Sequence, residues 1–340
     1  MRGPGRRGTR IGALLCLALG LGLTWTGSGT PLGAASAGQV PLADTTTATY
    51  VPPLVFGTAA RTKANLQAQE KVAGRPLVAV RVYRRWGEPL FDADTSWMRD
   101  TYHTLFLSVK TMRANGTPVL WSDIAAATPG SPLYVEMQQM ASQLKAFGAR
   151  VFFTLDHEPE ASDSDKMGTG PQYVLAFRKF ESVMHAEQVG NVVWMAVYTD
   201  FGFYRTDAHN MRNYYPGDAY VSMVGVDAYN WGLCKPGTQW ASLASRIDAA
   251  RQWGLQHPSV LMMVTEWGSN EDPANPTRKA SWLHDAEQLF KQPAYHQFAG
   301  VITYGGLDPT DKCAWDFTSS PATQAAWVTW ARDPAYSAWE

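Results

Sequence analysis

Val151-Phe-Phe-Thr-Leu-Asp-His-Glu158-Pro-Glu160 begins as an apolar run and ends in acids around a proline. Apolar runs of this kind form parallel strands covered on both faces, and in a closed α/β barrel the C-terminal strand ends stand at the catalytic mouth. Val260-Leu-Met-Met-Val-Thr-Glu266-Trp-Gly268 repeats the design. Two strands that each deliver a glutamate to one mouth make a paired-carboxylate site. Cleavage of a sugar acetal needs such a pair, because one acid protonates the leaving oxygen while the other carboxylate supports or attacks the cationic carbon.

Working outward from these two runs, strand candidates fall near 53–58, 77–83, 117–121, 150–156, 191–198, 221–227, 260–266 and 299–304. Segments of helical period separate most of them. In one, Ser131 serves as N-cap, Pro132 opens the first turn, Leu133, Met137, Met140, Leu144 and Phe147 share a face, and Gly148 ends it. In another, Tyr173, Phe177, Phe180 and Met184 form a stripe ahead of Gly190. Eight strand-helix repeats predict an α/β chain closed as a (β/α)8 TIM barrel in a single domain, residues 53–340. No Gly-x-Gly-x-x-Gly turn follows the first strand, so a nucleotide-binding sheet gains no support.

Residues 1–37 read as a signal peptide: Arg2, Arg6, Arg7 and Arg10, then an apolar stretch from Ile11 to Trp25, then Ala35-Ser36-Ala37. The apolar stretch falls short of the roughly 20 residues of a membrane-spanning helix, which sets an uncleaved anchor behind secretion. Residues 38–52, rich in Thr and Pro, predict a flexible leader. The whole chain has net charge −1, and loss of the four leader arginines takes this to −5 with no block of like charge, which argues against nucleic acid or an anionic membrane as partner. Cys234 and Cys313 remain after cleavage. An even pair in an oxidising compartment, in loops at one barrel mouth, predicts a disulfide, with two free buried thiols as the alternative.

Seven histidines raise the question of metal, but none forms His-x-His or His-Glu-x-x-His, so no metal site and no cofactor are expected. A Ser/His/Asp mechanism lacks its Gly-x-Ser-x-Gly elbow. By strand count Glu158 ends the fourth strand and Glu266 the seventh, placing them across the mouth from each other. Carboxyls about 5–5.5 Å apart act with retention, whereas about 6.5–9.5 Å admits a water and inversion. Glu160, beyond Pro159, is read as a loop residue and stands as the alternative acid.

At these positions the chain resembles glycoside hydrolase family 26. The resemblance is carried by His157-Glu158, by Tyr215-Pro216-Gly217-Asp218 followed by Val224-Gly225-Val226-Asp227-Ala228-Tyr229, and by Thr265-Glu266-Trp267-Gly268. It implies Glu158 as acid/base and Glu266 as nucleophile of a retaining β-glycosidase, with His157 helping to set the site and Tyr229 offering a hydroxyl near the nucleophile. Mannan-cleaving members usually continue His-Glu with Met-Asn-Gly, whereas here Pro159-Glu160-Ala161 follows. Tyr304 stands where many relatives offer Trp.

Aromatic planes pack on the apolar faces of pyranose rings and polar side chains bind hydroxyls, so Trp86, Trp121, Tyr198, Tyr204, Tyr229, Trp231, Trp267, Tyr304 and Trp315, with Asp123, Asp227, Asn230 and Asp308, are candidate sugar contacts. Trp231 and Tyr304 lead this group. The expectation is a secreted, monomeric glycoside hydrolase acting on a polysaccharide. By resemblance the favoured substrate is a β-1,4-mannan, with a β-xylan or β-glucan as the alternative. The reading of a different class is a non-catalytic glycan-binding barrel.

Overall fold

A computed structural model describes residues 54–336 except 233, 235, 306–312 and 314. The expected signal peptide and leader, and Asp308, lie outside the described residues. Eight parallel strands close on themselves in chain order, β1 (Val55–Ala59), β2 (Ala79–Arg85), β3 (Thr104–Lys110), β4 (Val151–Leu155), β5 (Val192–Thr199), β6 (Met223–Asn230), β7 (Leu261–Ser269) and β8 (Phe298–Thr303). Around them run α1 (Lys63–Ala73), α2 (Ala93–Asp100), α3 (Trp121–Ala126), α4 (Pro132–Phe147), α5 (Gly170–Ala186), α6 (Leu243–Gly254), α7 (Arg278–Leu289) and α8 (Pro321–Ala331). This is the expected single-domain (β/α)8 barrel.

One strand was misplaced by the sequence reading. Residues 117–121 do not form β3; the strand is Thr104-Leu-Phe-Leu-Ser-Val-Lys110, and 117–121 folds back on it beyond a turn. There Arg113 N–H donates to the Thr117 carbonyl and Val119 N–H to that of Thr111, satisfying the backbone without joining the barrel. Pro118 has no N–H to give a central ladder, which is why the segment cannot take the strand's place.

Alternation along the strands sorts side chains between two cores. Val55, Ala79, Phe106, Phe152, Met195, Met223, Met263 and Ile302 fill the barrel lumen, with Phe106 and Phe152 stacked 4.4 Å apart. The neighbours of opposite parity, Leu105, Leu107, Phe153, Val224 and Val264 among them, pack outward under the helices. Met137, Met140, Leu144 and Phe147 of α4 are buried as expected, and Gly148 caps that helix in the left-handed region at φ 76°. Tyr173, Phe177, Phe180 and Met184 of α5 are likewise buried.

The seam between β8 and β1 is tight. Gly300 pairs with Val55 at φ 137°, and a β-carbon there would sit 2.1 Å from the Val55 carbonyl oxygen. Gly300→Ala therefore combines a disfavoured backbone angle with a backbone clash and should cost about 3 kcal/mol or more of stability. A thermal melt of the variant that overlays the parent would contradict this description of the seam.

Candidate active site

The base of the site is a buried cation. Arg81 points into the lumen from β2, fully buried, and its Nη1 lies 2.8 Å from Asp227 Oδ1, 2.9 Å from the Thr265 carbonyl and 3.2 Å from Glu266 Oε1. Burial opposes its charge, but Asp227, Tyr83 and Glu266 outweigh that and raise its pKa further. Glu266 is aimed by two hydroxyls. Tyr83 on β2 donates to Oε1 and Tyr229 on β6 to Oε2, each at 2.7 Å.

Parity alone does not explain how Thr265 and Glu266 both face inward. Val226 pairs with Val264 while Asp227 pairs with Glu266, so Thr265 is the extra residue of a β-bulge. The bulge lets two successive side chains serve one face. Thr265 Oγ1 donates to Asp227 Oδ1 at 2.6 Å, Glu266 enters the mouth, and Trp267 turns outward against Trp330.

Glu158 arrives from the opposite wall. It lies three residues beyond β4, and both Asp156 (φ 56°) and Glu158 (φ 52°) are in the left-handed region. For a glutamate this conformation is uncommon, and the surrounding bonds must hold it. Glu158 N–H donates to the Val197 carbonyl at 2.9 Å. Its own carbonyl accepts from Ser164 Oγ, which in turn accepts from Lys110 Nζ. Lys110 also pairs with the buried Asp156 at 3.0 Å.

Carboxylate oxygens of Glu158, Asp227 and Glu266 come within 4.8 Å of one another. Burial, then the negative charges of Asp227, Glu266 and Glu160, hold the Glu158 carboxyl well above the usual range against the opposing pull of Arg81. Burial also lifts Glu160 to about 8, against hydrogen bonds from Thr199. The His157 ring packs edge-on to Tyr83, and burial with the charges of Arg81 and Lys110 pushes its pKa well below the ordinary value, so it is neutral.

A cavity of about 500 Å³ lies over the acids, lined by Glu158, Glu160, Phe201, Arg205, His209, Asp227, Tyr229, Trp231, Glu266, Tyr304 and Trp315 among others. A second, of about 360 Å³, continues past Glu266 and Tyr304 to Tyr83, His157, Arg84 and Arg61. Of the sugar-contact candidates, Asp227, Tyr229, Trp231, Tyr304 and Trp315 line the cleft. Seven others are not among the residues that line the two cavities, and of these Tyr204 is exposed beyond β5. Trp86 is buried with its indole N–H on Glu136, Trp121 is buried with its N–H on Thr111, and Tyr198 is buried with its hydroxyl on the Tyr214 carbonyl. Asp123 is exposed on α3 and lines none of the described cavities. Trp267 and Asn230 are also buried, Asn230 bracing the β6 exit through Ser269, Gly232 and Ala241.

Arg81 and Tyr83 were missed by the sequence reading, although a charged residue at alternate positions of an apolar strand, Ala79-Val-Arg-Val-Tyr83, marks the lumen side. Phe201 sits in a single 3-10 turn after β5 and Arg205 and His209 in the loop beyond it, where the sequence carries no period.

Known proteins resemble this chain in sequence and in fold. The model of glycosyl hydrolase family 26 matches residues 133–250, from α4 to α6, a stretch that contains Glu158, Asp227 and Tyr229. Endoglucanase H of Acetivibrio thermocellus is 24% identical over 276 residues, 77% of this chain. The chain is thus similar to family 26 within residues 133–250. It spans 28% of the length of Endoglucanase H. Among solved structures, the catalytic domain of a family 26 endo-β-1,4-mannanase from Bacillus sp. JAMB-750 superposes with TM-score 0.61 at 13% identity, covering 84% of this chain and 87% of that one. A β-mannanase of the family from Bacteroides ovatus gives 0.59 at 13% identity, covering 83% and 89%.

The buried acids of the barrel set a pH dependence of stability. Burial raises Glu160 to about 8 and, despite Arg81 and Arg246 respectively, Asp227 and Asp200 to about 7. The unfolded carboxyls titrate near 4, so between these values the folded state binds more protons, and stability falls as pH rises. His157 has the opposite slope, complete by about pH 6.5. Tm should therefore drop from pH 6.5 to 8, and Glu160→Gln should flatten the drop. A level or rising Tm over that interval would show that these acids are not held protonated.

Proposed function

We propose that this barrel is a secreted glycoside hydrolase that cleaves β-glycosidic bonds of a polysaccharide with retention, Glu158 as acid/base and Glu266 as nucleophile. The observation that carries this reading is the approach of the two carboxylates to within 4.8 Å at the barrel mouth. That spacing suits direct attack on the anomeric carbon better than an intervening water. Glu266, oriented by Tyr83, Tyr229 and Arg81, attacks as Glu158 gives its proton to the leaving oxygen. In the second step Glu158, now a carboxylate, takes a proton from the water that releases the glycosyl group. The raised pKa of Glu158 suits the first step, which needs a protonated acid.

Glu266 lines both cavities and Glu158 only the larger. The nucleophile bonds to the glycone, so the smaller cavity beside Tyr83 and Arg61 takes the glycone end and the larger extends towards the leaving group. Room on both sides of the cleaved bond supports endo action. A β-1,4-mannan remains the first substrate reading. A β-glucan is the second, favoured by the name of the relative Endoglucanase H. Secretion is supported by the basic, apolar and small-residue pattern of residues 1–37 together with the Cys234–Cys313 disulfide.

Reducing-end release against mannan, mixed-linkage glucan and xylan tests the substrate, with binding but no release on all three favouring the glycan-binding barrel instead. Proton NMR of the first product should show the β anomer. Immediate appearance of the α anomer would replace retention by inversion. Glu158→Gln and Glu266→Gln should each lower kcat by about 10³-fold or more on the polymer. A dinitrophenyl glycoside, whose leaving group needs no proton, should restore the first step in the Glu158 variant alone. Rescue of the Glu266 variant instead would reverse the two roles. In the parent, kcat/KM should fall on the alkaline side as Glu158 loses its proton, at a pH well above the ordinary carboxylate range.

A further inference from the structure

Cys234 and Cys313, 79 residues apart, are joined by a disulfide with their Cα atoms 5.5 Å apart. The bond links the segment leaving β6 to the segment leaving β8, two strands with β7 between them. Each cysteine is tied through its backbone to a cleft tryptophan. Cys234 N–H donates to the Trp231 carbonyl at 2.9 Å, and Trp315 N–H donates to the Cys313 carbonyl at 3.0 Å. The two indoles meet almost at right angles, ring centres 5.0 Å apart at 80°, and Tyr229 lies 4.7 Å from Trp315. All three line the larger cavity with Tyr304. Trp315 reaches this position over Gly268 of β7, where a β-carbon would stand 3.1 Å from its own.

We propose that the disulfide is part of the glycan-binding surface: it positions Trp231 and Trp315 as a fixed aromatic corner that grips the apolar face of a neutral pyranose, so affinity for the glycan follows the oxidation state of the Cys234–Cys313 bond. The inference rests on the glycan-cleaving reading only for the class of ligand. A core role does not account for the arrangement, because the linked tryptophans face the cleft and the link joins segments of strands that are not neighbours. Holding two aromatic planes at a fixed angle before the ligand arrives removes an ordering cost from binding. Reduction by a dithiol transfers two electrons to the bond, gives two cysteine thiols with two protons, and leaves the dithiol as a disulfide. The Trp315 segment then keeps a second anchor, since Lys279 Nζ donates to the Asp316 carbonyl and to Ser319 Oγ. The corner loosens while the fold persists.

The test measures binding apart from turnover. In the Glu158→Gln background, calorimetry with a manno- or gluco-hexaose compares the oxidised protein, the dithiothreitol-reduced protein, Cys234→Ala/Cys313→Ala and Trp315→Ala, with circular dichroism checking that each is folded. Affinity should fall about tenfold on reduction and in both variants, the scale of a lost aromatic contact. Reoxidation should restore it, and dithiothreitol should leave the double-cysteine variant unchanged. In the active enzyme KM should rise by a similar factor, with a smaller change in kcat. A reduced protein or double-cysteine variant that melts earlier but binds like the oxidised parent overturns the proposal and leaves the bond a stabilising staple. A parent that binds but never cleaves overturns the hydrolase reading and leaves this one standing.

Discussion

Arg81 is the constraint on which the rest of the site depends. Three carboxylates whose oxygens come within 4.8 Å of one another would repel by on the order of 3 kcal/mol per pair even at an effective dielectric near 20. A fully buried guanidinium bonded to Asp227 and facing Glu266 offsets part of that repulsion, and the proton held on Glu158 removes more. The same electrostatics therefore stabilises the cluster and separates its members by role. Asp227 holds the cation, Glu266 is oriented by it, and Glu158, across the mouth, keeps its proton.

Position is set with equal care. The bulge at Thr265 turns Glu266 into the lumen face without moving Trp267 from the outer core, so the carboxylate is brought to the mouth at no loss of packing against α8. On the other wall the left-handed backbone at Asp156 and Glu158 is held by bonds from three neighbours, Val197 on β5, Ser164 in the following loop and Lys110 on β3. Two of the four non-glycine residues with positive φ among the described residues fall in this loop, and backbone strain held in place beside an acid is characteristic of a site whose geometry is fixed before substrate binds.

The cleft is unlike at its two ends. Aromatic planes from the β6 and β8 segments crowd the larger cavity, while Arg61, Tyr83 and Arg84 from the β1 and β2 ends border the smaller. No two of these aromatic positions are close enough in sequence to form a motif, except Tyr229 and Trp231, which alternate along one strand exit. Sequence distance hides the rest of the surface, and a single covalent link between residues 234 and 313 brings its two halves together.

What the chain announced by itself were features of local period and punctuation. Apolar strand runs, the α4 and α5 stripes, the closed-barrel class and the two strand-end glutamates were all legible, because each follows from which residue types a two-faced strand or one-faced helix must bury. The position of β3 was not, since Thr117-Pro-Val-Leu-Trp121 and Thr104-Leu-Phe-Leu-Ser-Val-Lys110 are both short apolar runs and only pairing with β2 and β4 selects between them. Trp86 and Tyr198 lie off the cleft for a related reason: near a strand end, one residue of register decides between lumen, outer core and mouth, whereas Trp121 opens α3 and does not end a strand. Tertiary structure alone decided the Thr265 bulge, the burial of Arg81 beneath the acids and the meeting of Trp231 with Trp315, because each depends on contacts between strands far apart in the chain.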